Sequence, residues 1–122
     1  IIYFVGDHPD WTDIKKWLAF LEKESQSRGK FLKVYFVYGN SLDYNKTARE
    51  KELADLGAEL GLQKTAITFV PSFSDVESEA YLNKINPQVK NTFILYSNRA
   101  IVNKYVDLFA SQENFRLITK WN

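Results

Sequence analysis

The stretch "FVGDHPDWTDIKKW", residues 4–17, passes from the end of an apolar strand through a short polar turn into the first turns of an amphipathic helix. Asp10 stands where a helix N-cap belongs, and Asp13 falls in the first turn, where unpaired N–H groups favour a negative charge. The same turn holds the only histidine of the chain, His8. Strand-to-helix turns are where α/β proteins commonly place their chemistry, so this one is the first candidate site.

The pattern continues on both sides of the turn. "IIYFV" (1–5) and "FLKVYFVY" (31–38) are dense in β-branched and aromatic residues with few polar interruptions, as expected of central parallel strands covered on both faces. Between them Ile14, Trp17, Leu18 and Leu21 recur at i, i+3, i+4 and i+7, and "SRG" ends the helix, which predicts a βαβ unit. A second helix is expected over 46–60, with Leu53, Leu56 and Leu60 inward and Gly61 as its C-terminal cap. "AITFV" (66–70) reads as a short strand stopped by Pro71. Ser74 and Glu77 have capping-box spacing for a third, shorter helix with Val76, Ala80 and Tyr81 inward, closed by Asn86 and Pro87. "NTFILY" (91–96) and "IVNKYVDL" (101–108) flank the polar "SNRA" as a β-hairpin. A final helix, "SQENFRLITKW" (111–121), turns Phe115, Ile118 and Trp121 inward. Strands alternating with helices place the chain in the α/β class.

At 122 residues the chain has room for one domain, 1–122, and 45% hydrophobic residues give that domain a core of its own. Opening straight into an apolar strand, it reads as part of a longer protein, with a signal peptide or another domain among the residues that would precede it. Sixteen Lys and Arg against fifteen Asp and Glu give a formal charge of +1, which makes no electrostatic case for nucleic acid or an anionic membrane as partner. No apolar run approaches the roughly 20 residues of a membrane-spanning helix, so no membrane insertion is expected. The absence of cysteine removes disulfides, thiolate nucleophiles and thiol metal sites. No Gly-rich phosphate loop is present, Gly6 alone marks no nucleotide site, and no cofactor is expected.

The order of elements resembles a thioredoxin-like domain, in particular the redoxin branch that includes bacterial thiol-disulfide proteins and peroxiredoxins. "IIYFVG" leading into "DHPDWTDIKKW", "LKVYFVYGN" as second parallel strand, and "VKNTFILYSNRAIVNKYV" as hairpin carry the resemblance. It implies a three-layer sandwich, a central mixed sheet with helices on both faces, in which strand 91–96 runs antiparallel to strand 1–5. It also implies a bacterial periplasmic or cell-envelope location. The departures lie at the reactive positions. Where catalytic members carry Cys-x-x-Cys this chain has Pro9 and Thr12 with Asp10 and Trp11 between, and where they carry a cis-proline it has Lys90 or Asn91. A trans peptide is expected there, because a cis bond before a non-proline costs about 2.5–4 kcal/mol.

What the resemblance implies is a non-catalytic binding or interaction domain without thiol redox activity. Its candidate face is the one equivalent to the redox site, formed by Asp7, His8, Pro9, Asp10, Trp11, Thr12, Lys90 and Asn91, and its partner is a protein or peptide. Trp11 has two possible roles, apolar anchor of that face or core residue beneath the turn. The competing reading is a metal-dependent or acid–base enzyme using the Asp7–Asp13 turn, with Asp7, His8 and Asp10 as ligands. Neither calcium-loop spacing nor an HxxxH pair accompanies them, and no nucleophile can be assigned beside His8. Elsewhere Arg49, Glu50, Lys51 and Glu52 read as a solvated helix face, and Asn45-Lys46-Thr47 matches the N-glycosylation acceptor pattern.

Overall fold

A computed structural model of the chain describes residues 1–74, 84–97 and 100–120. The elements run β1 (Ile2–Val5), α1 (Trp11–Arg28), β2 (Val34–Tyr38), α2 (Lys46–Leu60), β3 (Thr65–Phe69), β4 (Thr92–Ser97), β5 (Ala100–Val106) and α3 (Gln112–Thr119). The five strands form one mixed sheet in the order β3-β2-β1-β4-β5. β1 and β2 pair in parallel, as do β2 and β3. β4 runs antiparallel to β1, with Tyr3 opposite Phe93, and β5 runs antiparallel to β4. The strand pairing is the one the hairpin reading implies.

The helix limits follow from local chemistry. Asp10 caps α1 by accepting the Asp13 N–H, and Gly29, at φ 58°, closes it with an N–H to Ser25 O. Asn45 caps α2 through the Ala48 N–H. At its far end Gly61 adopts the left-handed conformation (φ 64°), and the Leu62 N–H returns to Gly57 O. β2 starts later than the expected residue 31. After the cap at Gly29, residues 29–31 make one 3-10 turn, and Phe31 is left 84% exposed instead of entering the sheet.

Alternation along the strands divides the sheet residues between two clusters. Tyr3, Val5, Phe36, Phe93 and Leu95 share one core with Ile14, Trp17, Leu18 and Leu21 of α1, Leu53 and Leu56 of α2, and Ile118 of α3. On the opposite face Phe4 and Ile94 are covered by Phe73 and Ile85. The three helices therefore lie on one face among the described residues. The short helix expected after Ser74 falls on 75–83, outside the described residues, as do the hairpin tip 98–99 and Trp121.

Aromatic rings fill the centre of the helix-covered face. Tyr3 stacks on Phe93 with centroids 4.5 Å apart, Trp17 lies 4.5 Å from Phe93 and 5.0 Å from Phe115, and Phe20 stacks on Phe115 at 4.1 Å. α3 is thus held to α1 by its Phe115 ring. The segment before α3 is fixed by polar bonds, the Trp17 indole N–H to Leu108 O (3.1 Å) and the Ala110 N–H to Asp13 Oδ1 (2.7 Å).

Candidate functional site

Because β1 and β4 are antiparallel neighbours, the end of β1 lies beside the chain that enters β4. The two backbones touch. Asp7 donates its N–H to Pro87 O at 2.8 Å. A Cβ on Gly6 would sit 2.6 Å from both Cα and O of Pro87, so glycine is required here by close approach. The turn at 7–12 and the loop at 87–91 consequently share one end of the sheet.

A chain of polar side chains joins them. His8 Nε2 lies 2.8 Å from Gln88 Oε1, and Gln88 Nε2 donates to Asp7 Oδ2 at 3.0 Å. The other Asp7 oxygen accepts the N–H and the hydroxyl of Ser41, at 2.8 and 2.9 Å. An ionised Asp7 accepts only, so the Gln88 amide nitrogen faces it and the amide oxygen faces His8. The neutral imidazole therefore carries its proton on Nε2, and Nδ1 is its acceptor.

Lys90 links the other side of the turn to the loop. Its Nζ lies 3.0 Å from Asp10 Oδ2, 3.9 Å from Asp13 Oδ2 and 4.5 Å above the Phe109 ring. Its backbone N–H donates to Asp107 Oδ1 at 2.7 Å, which fixes both ends of the residue. The hydrogen bond from Lys90 and the N–H of Asp13 hold the Asp10 carboxyl below the usual carboxylate range. Beneath the turn the phenol of Tyr3 is fully buried, facing Asn91, without a hydrogen bond of good geometry. Burial, reinforced by the charges of Asp13 and Asp10, pushes it well above its ordinary value, so it stays protonated.

The expected face is only partly one surface. Asp7 and His8 meet Gln88, and Asp10 meets Lys90. Thr12 is exposed on the first turn of α1. Asn91 is not on the surface: it is 1% exposed, and its side chain exchanges two hydrogen bonds with the Leu108 backbone, Nδ2 to O at 2.7 Å and N to Oδ1 at 2.9 Å. Its place is structural, because the amide closes the chain that follows β5 onto the start of β4. Every peptide bond among the described residues is trans.

Trp11 is half-buried and meets Tyr38 edge-on at 5.2 Å. With Pro9 it lines a cleft of about 290 Å³ beside the start of α2, and it also lines a second cleft between α1 and α2. Asp10, Lys90 and Phe109 line neither. The apolar group that accompanies Lys90 is Phe109 instead, 64% exposed. Sequence spacing did not mark it, since only the pairing of β4 with β5 returns residue 109 to residue 90. Arg49 also departs from its reading as part of a solvated face. It is 7% exposed, its guanidinium lies 4.5 Å from the Tyr38 ring and 5.5 Å from the Tyr44 ring, and it donates to Asn40 O at 3.0 Å.

Asp10 and Asp13 meet at Lys90, but Asp7 stands apart from them. Asp7 is taken up by Ser41 and Gln88, Asp10 by the helix cap and Lys90, and Asp13 by the Ala110 N–H. Among the described residues no group of three or more His, Asp or Glu side chains is placed to hold a metal ion. No helix of the described residues is long and apolar enough to cross a membrane. No protein-family model matches the chain, and no curated protein or solved structure is significantly similar to it. The chemistry of the site is therefore read from its own side chains: hydrogen-bonding groups, one cation and an exposed ring.

Proposed function

We propose that the chain is a thioredoxin-like domain without thiol chemistry that works as a binding module, taking an extended segment of a protein partner on the face between the turn at 7–12 and the loop at 87–91. The observation that carries this reading is the direct meeting of those two segments through Asp7 with Pro87, His8 with Gln88 and Asp10 with Lys90, in a chain that has no cysteine. The α/β order and the antiparallel pairing of β1 with β4 are compatible with it. Phe109 supplies an exposed apolar surface beside a cation, and His8 and Asp10 supply exposed polar groups for selectivity.

Peptides selected from a random displayed library on the immobilised domain test the reading. Binding that weakens about tenfold in Phe109→Ala and in His8→Ala, each checked to be folded, is the expected outcome for one or two lost contacts of this kind. Selected peptides that bind both variants as well as the unmodified domain would place the interaction elsewhere.

A further inference from the structure

A second recognition feature lies on the other side of Trp11. Between α1 and α2 runs a cleft of about 450 Å³, lined by Trp11 and Lys15 from α1 and by Glu52, Asp55, Leu56 and Glu59 from α2. Helix geometry makes these one wall each: 11 and 15 are one turn apart, and 52, 55, 56 and 59 follow a single stripe. A volume of this size lies in the range that encloses a small organic group. The floor is apolar, made of Leu56 and the half-buried indole that Tyr38 holds edge-on. Above it the rim carries three carboxylates against one ammonium, in a chain whose overall charge is only +1.

Each rim acid has a cation near it: Lys15 and Lys51 sit in exposed ion pairs, whereas Arg49 beside Glu52 is buried and held by Tyr38, Tyr44 and Asn40 O. Glu59 pairs with Lys15 at 3.0 Å, Asp55 with Lys51 at 2.7 Å and Glu52 with Arg49 at 3.4 Å. In the Glu59–Lys15 and Asp55–Lys51 pairs both side chains are exposed, and such ion pairs contribute little and exchange readily, which frees two carboxylates for an arriving cation. Neither Lys51 nor Arg49 lines the cleft. A cation that arrives on an apolar stem fits both layers, whereas an acidic group meets three like charges and a purely apolar group leaves the rim unmatched.

We propose that this cleft receives a basic side chain, a lysine or arginine of a partner peptide, with its aliphatic stem on Trp11 and Leu56 and its charged end among Glu52, Asp55 and Glu59. The indole face adds attraction for a cation brought close to it. Neither His8 nor Lys90 lines the cleft, so the assignment stands independently of the binding face proposed above.

The test is a nuclear magnetic resonance titration with two acetylated, amidated tetrapeptides, LKLK and LELE. The signals followed are the Trp11 indole N–H, assigned by its loss in Trp11→Phe, and the Leu56 methyls. LKLK is expected to shift these signals saturably and to bind about tenfold more tightly than LELE, the scale of a desolvated cation–aromatic contact. The triple variant Glu52→Gln, Asp55→Asn, Glu59→Gln changes only exposed side chains and is expected to keep the fold while weakening LKLK about tenfold. The proposal is overturned by equal binding of the two peptides, by undiminished LKLK binding in the folded triple variant, by no saturable shift at millimolar LKLK, or by shifts confined to His8, Lys90 and Phe109.

Discussion

The carboxylate of Glu22 on α1 accepts the backbone N–H of Thr65, the first residue of β3, at 2.9 Å. It also accepts the Lys64 N–H at 3.0 and 3.1 Å and the Gln26 side-chain amide at 2.7 Å. One buried acid thus ties the long helix to the entry of an edge strand. Burial pushes its carboxyl up, but the bonds from Gln26 and from the N–H groups of Thr65, Lys64 and Gln63 outweigh that and bring it from 4.5 down to about 2.

A folded-state value below the unfolded one means that the ionised form stabilises the fold. The contribution is complete above about 4.5 and is lost as pH falls toward 2. Its size is on the order of 3 kcal/mol. Glu22→Gln is therefore expected to lose roughly that much at neutral pH, with the gap to the unmodified protein narrowing between pH 4.5 and about 2. Urea denaturation of both proteins across that window measures it. A gap that stays constant with pH would reject the role given to Glu22.

Leu18 and Leu56 separate core from cleft. Leu18 is fully buried under the sheet, and its truncation to alanine is expected to cost about 3–5 kcal/mol. Leu56 is 6% exposed and lines the open cleft beside Trp11, so Leu56→Ala leaves less of an enclosed cavity and is expected to cost about 2 kcal/mol. Denaturant midpoints at constant slope give both values. Near-neutral effects at both positions would reject the packing of α1 and α2 on the sheet.

What was legible in the sequence was whatever local chemistry decides. The limits of α2, Lys46–Leu60, lie between Asn45 and Gly61 because each end carries its own cap, and the inward Leu53 and Leu56 follow from helical spacing. The start of β2 was not legible, since pairing with β1 begins only after the turn at Gly29 has thrown Phe31 outward. The site divides in the same way. Asp10 and Asp13 act where helix-start chemistry puts them, and the approach of the turn to the loop followed from the order of strands. Arg49 was misread because the tyrosines that cover it come from β2 and from the loop before α2, and Asn91 because its partner, Leu108, lies beyond the far strand of the hairpin.

Asn91 tests how that hairpin is closed. Its amide both donates to Leu108 O and accepts from Leu108 N–H, and its own carbonyl accepts the Asp107 N–H at 3.0 Å. Leucine of similar size would take this partner from the part-buried Leu108 N–H and leave Leu108 O with the Trp17 indole alone, and aspartate would set a carboxylate oxygen against a carbonyl. Asn91→Leu and Asn91→Asp are each expected to lose about 1–3 kcal/mol, with faster amide exchange at Leu108. Slow, unchanged exchange at Leu108 in a folded variant would remove the structural role.

Gly6 and Gly57 form the sharpest pair of substitutions. In α2 a Cβ on Gly57 meets only Ile67 Cδ1, at 3.4 Å, a flexible methyl end, while alanine in a helix interior gains up to about 1 kcal/mol over glycine. Gly57→Ala is accordingly expected to raise the denaturation midpoint. At Gly6 the neighbour is backbone, Pro87 Cα and O at 2.6 Å, and no rotamer can relieve it. Gly6→Ala must push the turn away from the loop, stretch the Asp7 N–H bond to Pro87 O and separate His8 from Gln88, at a cost of about 1–3 kcal/mol. The expected signature is a lower midpoint together with a moved His8 ring signal and weaker binding of peptides selected on the turn–loop face. A Gly6→Ala protein with unchanged stability and an unchanged His8 signal would mean that the two segments are not in backbone contact, and the surface built on that contact would fall with it.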